Sequence, residues 1–144
     1  MTRRRSTVSR GRRALHAALL VASFVLVPSL TAQTLTVIGK TSAGSPVSLD
    51  TKSARSANGI TTATFRVALA PSIKTSSGDM VSMRSVTMID CAKQTTATKE
   101  RWFYFDEKQT RVARHDVPKI PGYGPALKGS LADVVIAHIC AAKK

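Results

Sequence analysis

The feature that most constrains this fold is a change of period along the chain. From Ile60 to Ala70, Ala63, Phe65, Val67 and Leu69 fall on one phase and Thr62, Thr64 and Arg66 on the other. Met80–Cys91 alternates in the same way. Val81, Met83, Ile89 and Cys91 share one phase with Ser85 and Thr87, and Met80, Ser82, Arg84, Val86, Met88 and Asp90 take the other. Strand side chains alternate between faces, so these runs predict half-buried strands. The last segment departs from period two. Leu131, Val135 and Ile139 recur every fourth residue, with Ile136 and Cys140 beside them, which is the stripe of a short amphipathic helix. Ser130 is placed to cap it, with Asp133 completing an imperfect capping box. Lys143 and Lys144 follow, where the helix dipole favours cations. A helix of about three turns is marginal alone and needs packing or a covalent tie.

Turn chemistry divides the rest. Thr34–Thr41 and Val47–Asp50 read as short strands around a turn at Ala43-Gly44-Ser45-Pro46, and Asn58-Gly59 is a strong hairpin signal. Pro71–Asp79 reads as a polar loop. Gln94–Asp106 and Thr110–Val117 are two further strands joined by a turn. Residues 118–129 hold three prolines and three glycines, which excludes a helix or a central strand there. The expected fold is α+β: one antiparallel sheet of five or six strands, with the C-terminal helix on one face. There are no internal repeats, and 144 residues allow one such domain.

The first 33 residues have a different character. Arg3, Arg4, Arg5, Arg10, Arg12 and Arg13 precede an eleven-residue apolar run, Ala17–Val27, which Pro28 and Ser29 end before the small residues near Ala32. This is the pattern of a secretory signal peptide, so residues 1–33 are expected to be a leader and 34–144 the domain. An uncleaved anchor and a mitochondrial transit peptide are the alternatives; the run is shorter than the ~18 residues of a membrane span. Arg12-Arg13-Ala14-Leu15 weakly resembles a twin-arginine signal, which also means export. No cysteine lies near the cut, so no lipid anchor is expected at the new N-terminus. The expected location is the periplasm, the cell surface or the medium. Losing the six leader arginines from 22 Lys+Arg leaves 16 against 8 Asp+Glu, a net charge of about +8. Outside the cytosol, partners for such a charge are membrane lipid, polysaccharide or acidic protein rather than nucleic acid. The alternative is a basic solvated surface with no specific anion site.

Export places Cys91 and Cys140 in an oxidising space, and an even cysteine count favours their pairing. The bridge would close a loop worth ~4 kcal/mol of chain entropy and tie the helix to the sheet. The alternative is two buried free thiols. Neither cysteine belongs to a CxxC step, so a redox role is not expected. His115-Asp116 and His138 are the acid–base candidates, but adjacent strand residues point to opposite faces. No motif of nucleotide, metal or hydrolase chemistry occurs. The chain is therefore expected to be no enzyme, to hold no catalytic or metal site and to use no cofactor.

Trp102-Phe103-Tyr104-Phe105 holds four of the six aromatic residues outside the leader, and alternation sends Trp102 and Tyr104 to one face, Phe103 and Phe105 to the other. Lys99, Arg101, Lys108, Arg111 and Arg114 flank the run. Aromatic residues mixed with arginine favour protein contacts, so Lys99, Arg101, Trp102, Tyr104, Lys108, Arg111 and Arg114 form the candidate binding surface. The alternative places the aromatics in the core of a curled sheet and the charges on a solvated face.

The order of motifs resembles the bacterial surface-adhesin protein E family. Val47-Ser48-Leu49-Asp50 is followed by Ser53, by Asn58-Gly59 and a long alternating strand, then by Met83-Arg84-Ser85-Val86 running to Ile89-Asp90-Cys91. Phe103-Tyr104-Phe105-Asp106, a proline-rich crossing at Pro118–Pro125, and Cys140 complete the series. The resemblance implies an antiparallel sheet carrying a disulfide-tethered C-terminal helix, and a bacterial envelope location. Its name-giving member is a lipoprotein adhesin that binds host matrix proteins and plasminogen. It thus implies an exported, non-enzymatic binding protein, with adhesion to host or matrix proteins as its role. A periplasmic structural or accessory envelope protein is the alternative, with envelope components as partners.

Overall fold

The computed structural model describes residues 35–141; the expected leader lies outside these residues. Six strands run in chain order across one antiparallel sheet: β1 (Leu35–Lys40), β2 (Pro46–Ala57), β3 (Ile60–Thr75), β4 (Gly78–Asp90), β5 (Thr95–Tyr104) and β6 (Val112–Asp116). Consecutive strands are neighbours throughout, the simplest solution for a chain whose turns are short. A two-residue strand, β7 (Gly124–Pro125), adds to β5 beside Thr95 and Thr96. It lies in the proline-rich crossing, on an edge that tolerates proline. The helix α1 (Leu131–Ala141) ends the described chain.

Local chemistry accounts for the elements. Asn58 and Gly59 adopt φ of 51° and 79°, the left-handed pair a two-residue hairpin needs between Ala57 and Ile60. The Val47, Leu49, Ala63, Phe65, Val67, Met83, Ile89 and Phe103 side chains form the core with Val135, Ile136, Ile139 and Cys140 of α1. The helix therefore covers one face of the sheet, and among the described residues no helix covers the other. Ser130 caps α1: its Oγ accepts the Asp133 N–H at 3.3 Å. The Asp133 carboxylate accepts the Gly129 N–H at 2.8 Å, so the reciprocal half of the box reaches one residue further back than the standard pattern. Cys91 and Cys140 form a disulfide with Cα atoms 5.4 Å apart, tying the end of β4 to the last turn of the helix.

Two expectations need correction. Pro71–Asp79 is not a loop: β3 continues to Thr75, β4 begins at Gly78, and Ile73 pairs with Met80. The segment is polar because both faces of this hairpin tip are largely solvated, and Lys74 and Asp79 pair across it. A register shift between Ala68 and Ile73, which includes the cis Ala70–Pro71 peptide, separates the tip from the main ladder. Beside that shift strict alternation also lapses, and Met80, expected opposite Met83, joins it in the core.

Candidate functional site

The ladder register brings one row of side chains across every strand of the helix-free face. Val37 pairs with Ser48, Ser48 with Arg66, Arg66 with Arg84, Arg84 with Trp102, and Trp102 with His115. Val37, Ser48, Arg66, Arg84 and Trp102 sit on the phase opposite the core-packed residues of their strands, so the row faces away from α1, and His115 joins it by stacking on Trp102. Arg66, Arg84 and Trp102 are half-buried and His115 is exposed.

The Trp102 indole is held between two neighbours. The Arg84 guanidinium carbon lies 4.0 Å from the ring centroid, and the His115 ring stacks at 4.5 Å and 6°. Such a cation–π contact is worth about 0.5–1 kcal/mol at a partly exposed site. Glu100 approaches His115 Nε2 at 4.0 Å. Arg66 and Arg84 stand directly opposite each other in the ladder. The Arg84 Nε is buried without a hydrogen-bond partner. The row combines a rigid aromatic with concentrated positive charge.

A recess of about 240 Å³ adjoins the row, with Ser48, Arg66, Ser82, Glu107 and Gln109 in its wall. Its far side is the tight loop after β5. Asp106 organises that loop by accepting the Thr110 N–H at 3.0 Å and the Arg111 N–H at 2.6 Å. The Thr110 N–H is the main cause of a carboxyl pKa below the ordinary aspartate value; desolvation opposes it and the Arg111 N–H adds to it. Ser82 Oγ donates to the Asp106 carbonyl at 2.7 Å, and the Gln109 side-chain amide donates to the Met83 carbonyl at 3.2 Å. These contacts pin the loop over Tyr104 and Ser82, both fully enclosed.

The sequence-predicted surface is divided by the fold. Trp102 lies in the row. Tyr104, on the same face, is 2% exposed and has no surface to offer. Arg101 and Arg114 lie on the opposite face, where their guanidinium carbons sit 5.3 and 4.7 Å from the Phe103 ring centroid and seal that core residue beyond the reach of the helix. Asp116 holds both, at 3.6 Å from Arg101 and 2.9 Å from Arg114. Arg111 lies over Phe105 at 5.7 Å. Lys99 falls in the register shift of β5 and Lys108 in the loop after it; both are exposed. Sequence reasoning missed Arg84 as a partner of Trp102 and Arg66 as the residue beside Arg84, and weighed His115 for acid–base chemistry alone. The available signal was the polar phase of each alternating strand, but which polar residues become neighbours is set by register.

His115 and Asp116 occupy opposite faces, His115 on Trp102 and Asp116 on Arg114. His138 is exposed on α1, at a recess of about 370 Å³ shared with Lys40 and Asp133. Among the described residues no three His, Cys, Asp or Glu side chains converge as a metal site, and no helix is long and apolar enough to cross a membrane.

No protein-family model and no curated protein matches the chain in sequence. Its structure is similar to that of Haemophilus influenzae protein E, with a TM-score of 0.52 and 15% identity over 80% of this chain and 89% of that one. Crystal form II of the same protein gives a TM-score of 0.50 and 16% identity over 67% of this chain and 80% of that one. The chain therefore has the fold of protein E, an antiparallel sheet with its C-terminal helix tied to one face by Cys91–Cys140.

Proposed function

We propose that this protein is an exported, non-enzymatic binding domain that engages an acidic segment of a partner protein through the helix-free sheet face. The observation that carries the reading is the Arg66–Arg84–Trp102–His115 row, in which Arg84 and His115 hold a tryptophan between them and Arg66 stands on the far side of Arg84. A partner carboxylate would pair with the fork geometry of the Arg84 guanidinium. Trp102 would hold the Arg84 guanidinium in place, leaving it little entropy to lose on binding. Export is supported by the leader pattern and by a disulfide that needs an oxidising compartment. The resemblance to the surface-adhesin family makes a host or matrix protein the first class of partner to test.

Calorimetric titration of the purified protein with an acidic peptide such as poly-glutamate tests the face assignment. Arg84→Glu and Trp102→Ala are each expected to weaken binding about tenfold or more. Arg114→Glu, on the opposite face, is expected to leave binding within about twofold if stability is retained. Equal loss in all three variants, or none in the first two, contradicts the assignment.

A further inference from the structure

A second surface lies away from this row. Half of the exposed large hydrophobic residues among those described fall in the crossing between β6 and α1: Val117 at 57%, Ile120 at 84%, Tyr123 at 44% and Leu127 at 75% exposed. The crossing is anchored rather than loose. Gly124 and Pro125 pair with β5, Ala126 packs against the core, and the Ser130 N–H donates to the Leu127 carbonyl at 2.9 Å. Pro118, Pro121 and Pro125 fix the backbone and remove three N–H groups that a partner strand would seek. The apolar side chains are thus held outward by a stiff frame. Lys119 and Lys128 stand beside Ile120 and Leu127, and from Val117 to Ala132 there is no acidic residue.

We propose that this crossing docks the protein onto an anionic lipid bilayer. Ile120, Leu127 and Val117 would enter the boundary between headgroups and acyl chains. Tyr123 suits that depth because its ring is apolar and its hydroxyl stays wet. Lys119 and Lys128 would meet lipid phosphates, so charge supplies attraction while the apolar tips supply depth. A protein partner would need a shaped apolar pocket and acidic groups at fixed places. A bilayer needs only exposed apolar tips with cations beside them, and the crossing presents both.

Co-sedimentation of the purified protein with vesicles tests this, with identical N-termini in every variant so that any leader contribution cancels. Vesicles are phosphatidylcholine alone or with one quarter phosphatidylglycerol. The protein is expected to favour the phosphatidylglycerol vesicles, and salt to reduce the preference. Ile120→Ser with Leu127→Ser should lower partitioning about tenfold. Lys119→Glu with Lys128→Glu should remove the preference for anionic lipid. All four residues are exposed, so the variants are expected to fold. Arg84→Glu should leave the effect of the crossing variants unchanged, which separates this surface from the sheet-face reading. Equal partitioning of wild type and the Ile120/Leu127 variant overturns the proposal. So does a variant that keeps lipid binding but loses a protein partner, which would make the crossing a protein-docking surface.

Discussion

Trp102 illustrates how one side chain draws its meaning from register. On sequence alone it is an aromatic residue among basic ones; in the sheet its ring faces are occupied by Arg84 and His115. Asp106 plays the opposite part, serving loop geometry rather than contact. Because folding lowers its pKa, its contribution is complete above the ordinary aspartate value and is lost as pH falls through the lower folded-state value. The Thr110 and Arg111 amide proton resonances should therefore titrate together at a pH below about 4, and Asp106→Asn should abolish that titration. Gly39 is fixed by proximity: a Cβ there would lie 2.9 Å from Val134 Cγ1 of the helix. Gly39→Ala should destabilise the protein by about 1–3 kcal/mol in urea unfolding, since the clash is with a packed, branched side chain.

At the scale of elements, the helix depends on its tether. Eleven residues with four buried side chains make a short helix that packing alone holds weakly. Replacing Cys91 and Cys140 together by serine should lower unfolding stability by ~4 kcal/mol and speed amide exchange throughout α1 before the sheet. Unchanged exchange in the helix would show that packing suffices. The helix, its cap and the Asn58-Gly59 turn were legible in sequence because each depends on residues a few positions apart. The cysteine pair was legible because a chain with two thiols and an expected leader leaves one intramolecular pairing. The β3–β4 tip was not, since a strand solvated on both faces shows no alternation and Pro71–Asp79 is polar but for Pro71 and Ile73. Nor was the Arg66–Arg84–Trp102–His115 row: the Ala68/Ile73 shift slides β3 against β4, and no local pattern reports that Arg66 will face Arg84.

For the molecule as a whole, division of labour between faces organises the account. One face is closed by a disulfide-tied helix and by arginines that seal Phe103. The other stays open and carries the Arg66–Arg84–Trp102–His115 row. The net charge of about +8 outside the leader favours any acidic partner at long range. The short-range contact belongs to the row, so raising salt should slow association more than it speeds dissociation. Trp102 is the single tryptophan of the chain, so its fluorescence reports on the row and on nothing else. Titrating the protein with poly-glutamate while recording that emission is the most direct measurement. The account predicts a saturable spectral change that weakens with salt and disappears in Arg84→Glu. Emission that stays constant through saturation of binding, or that changes equally in Arg84→Glu, would contradict it.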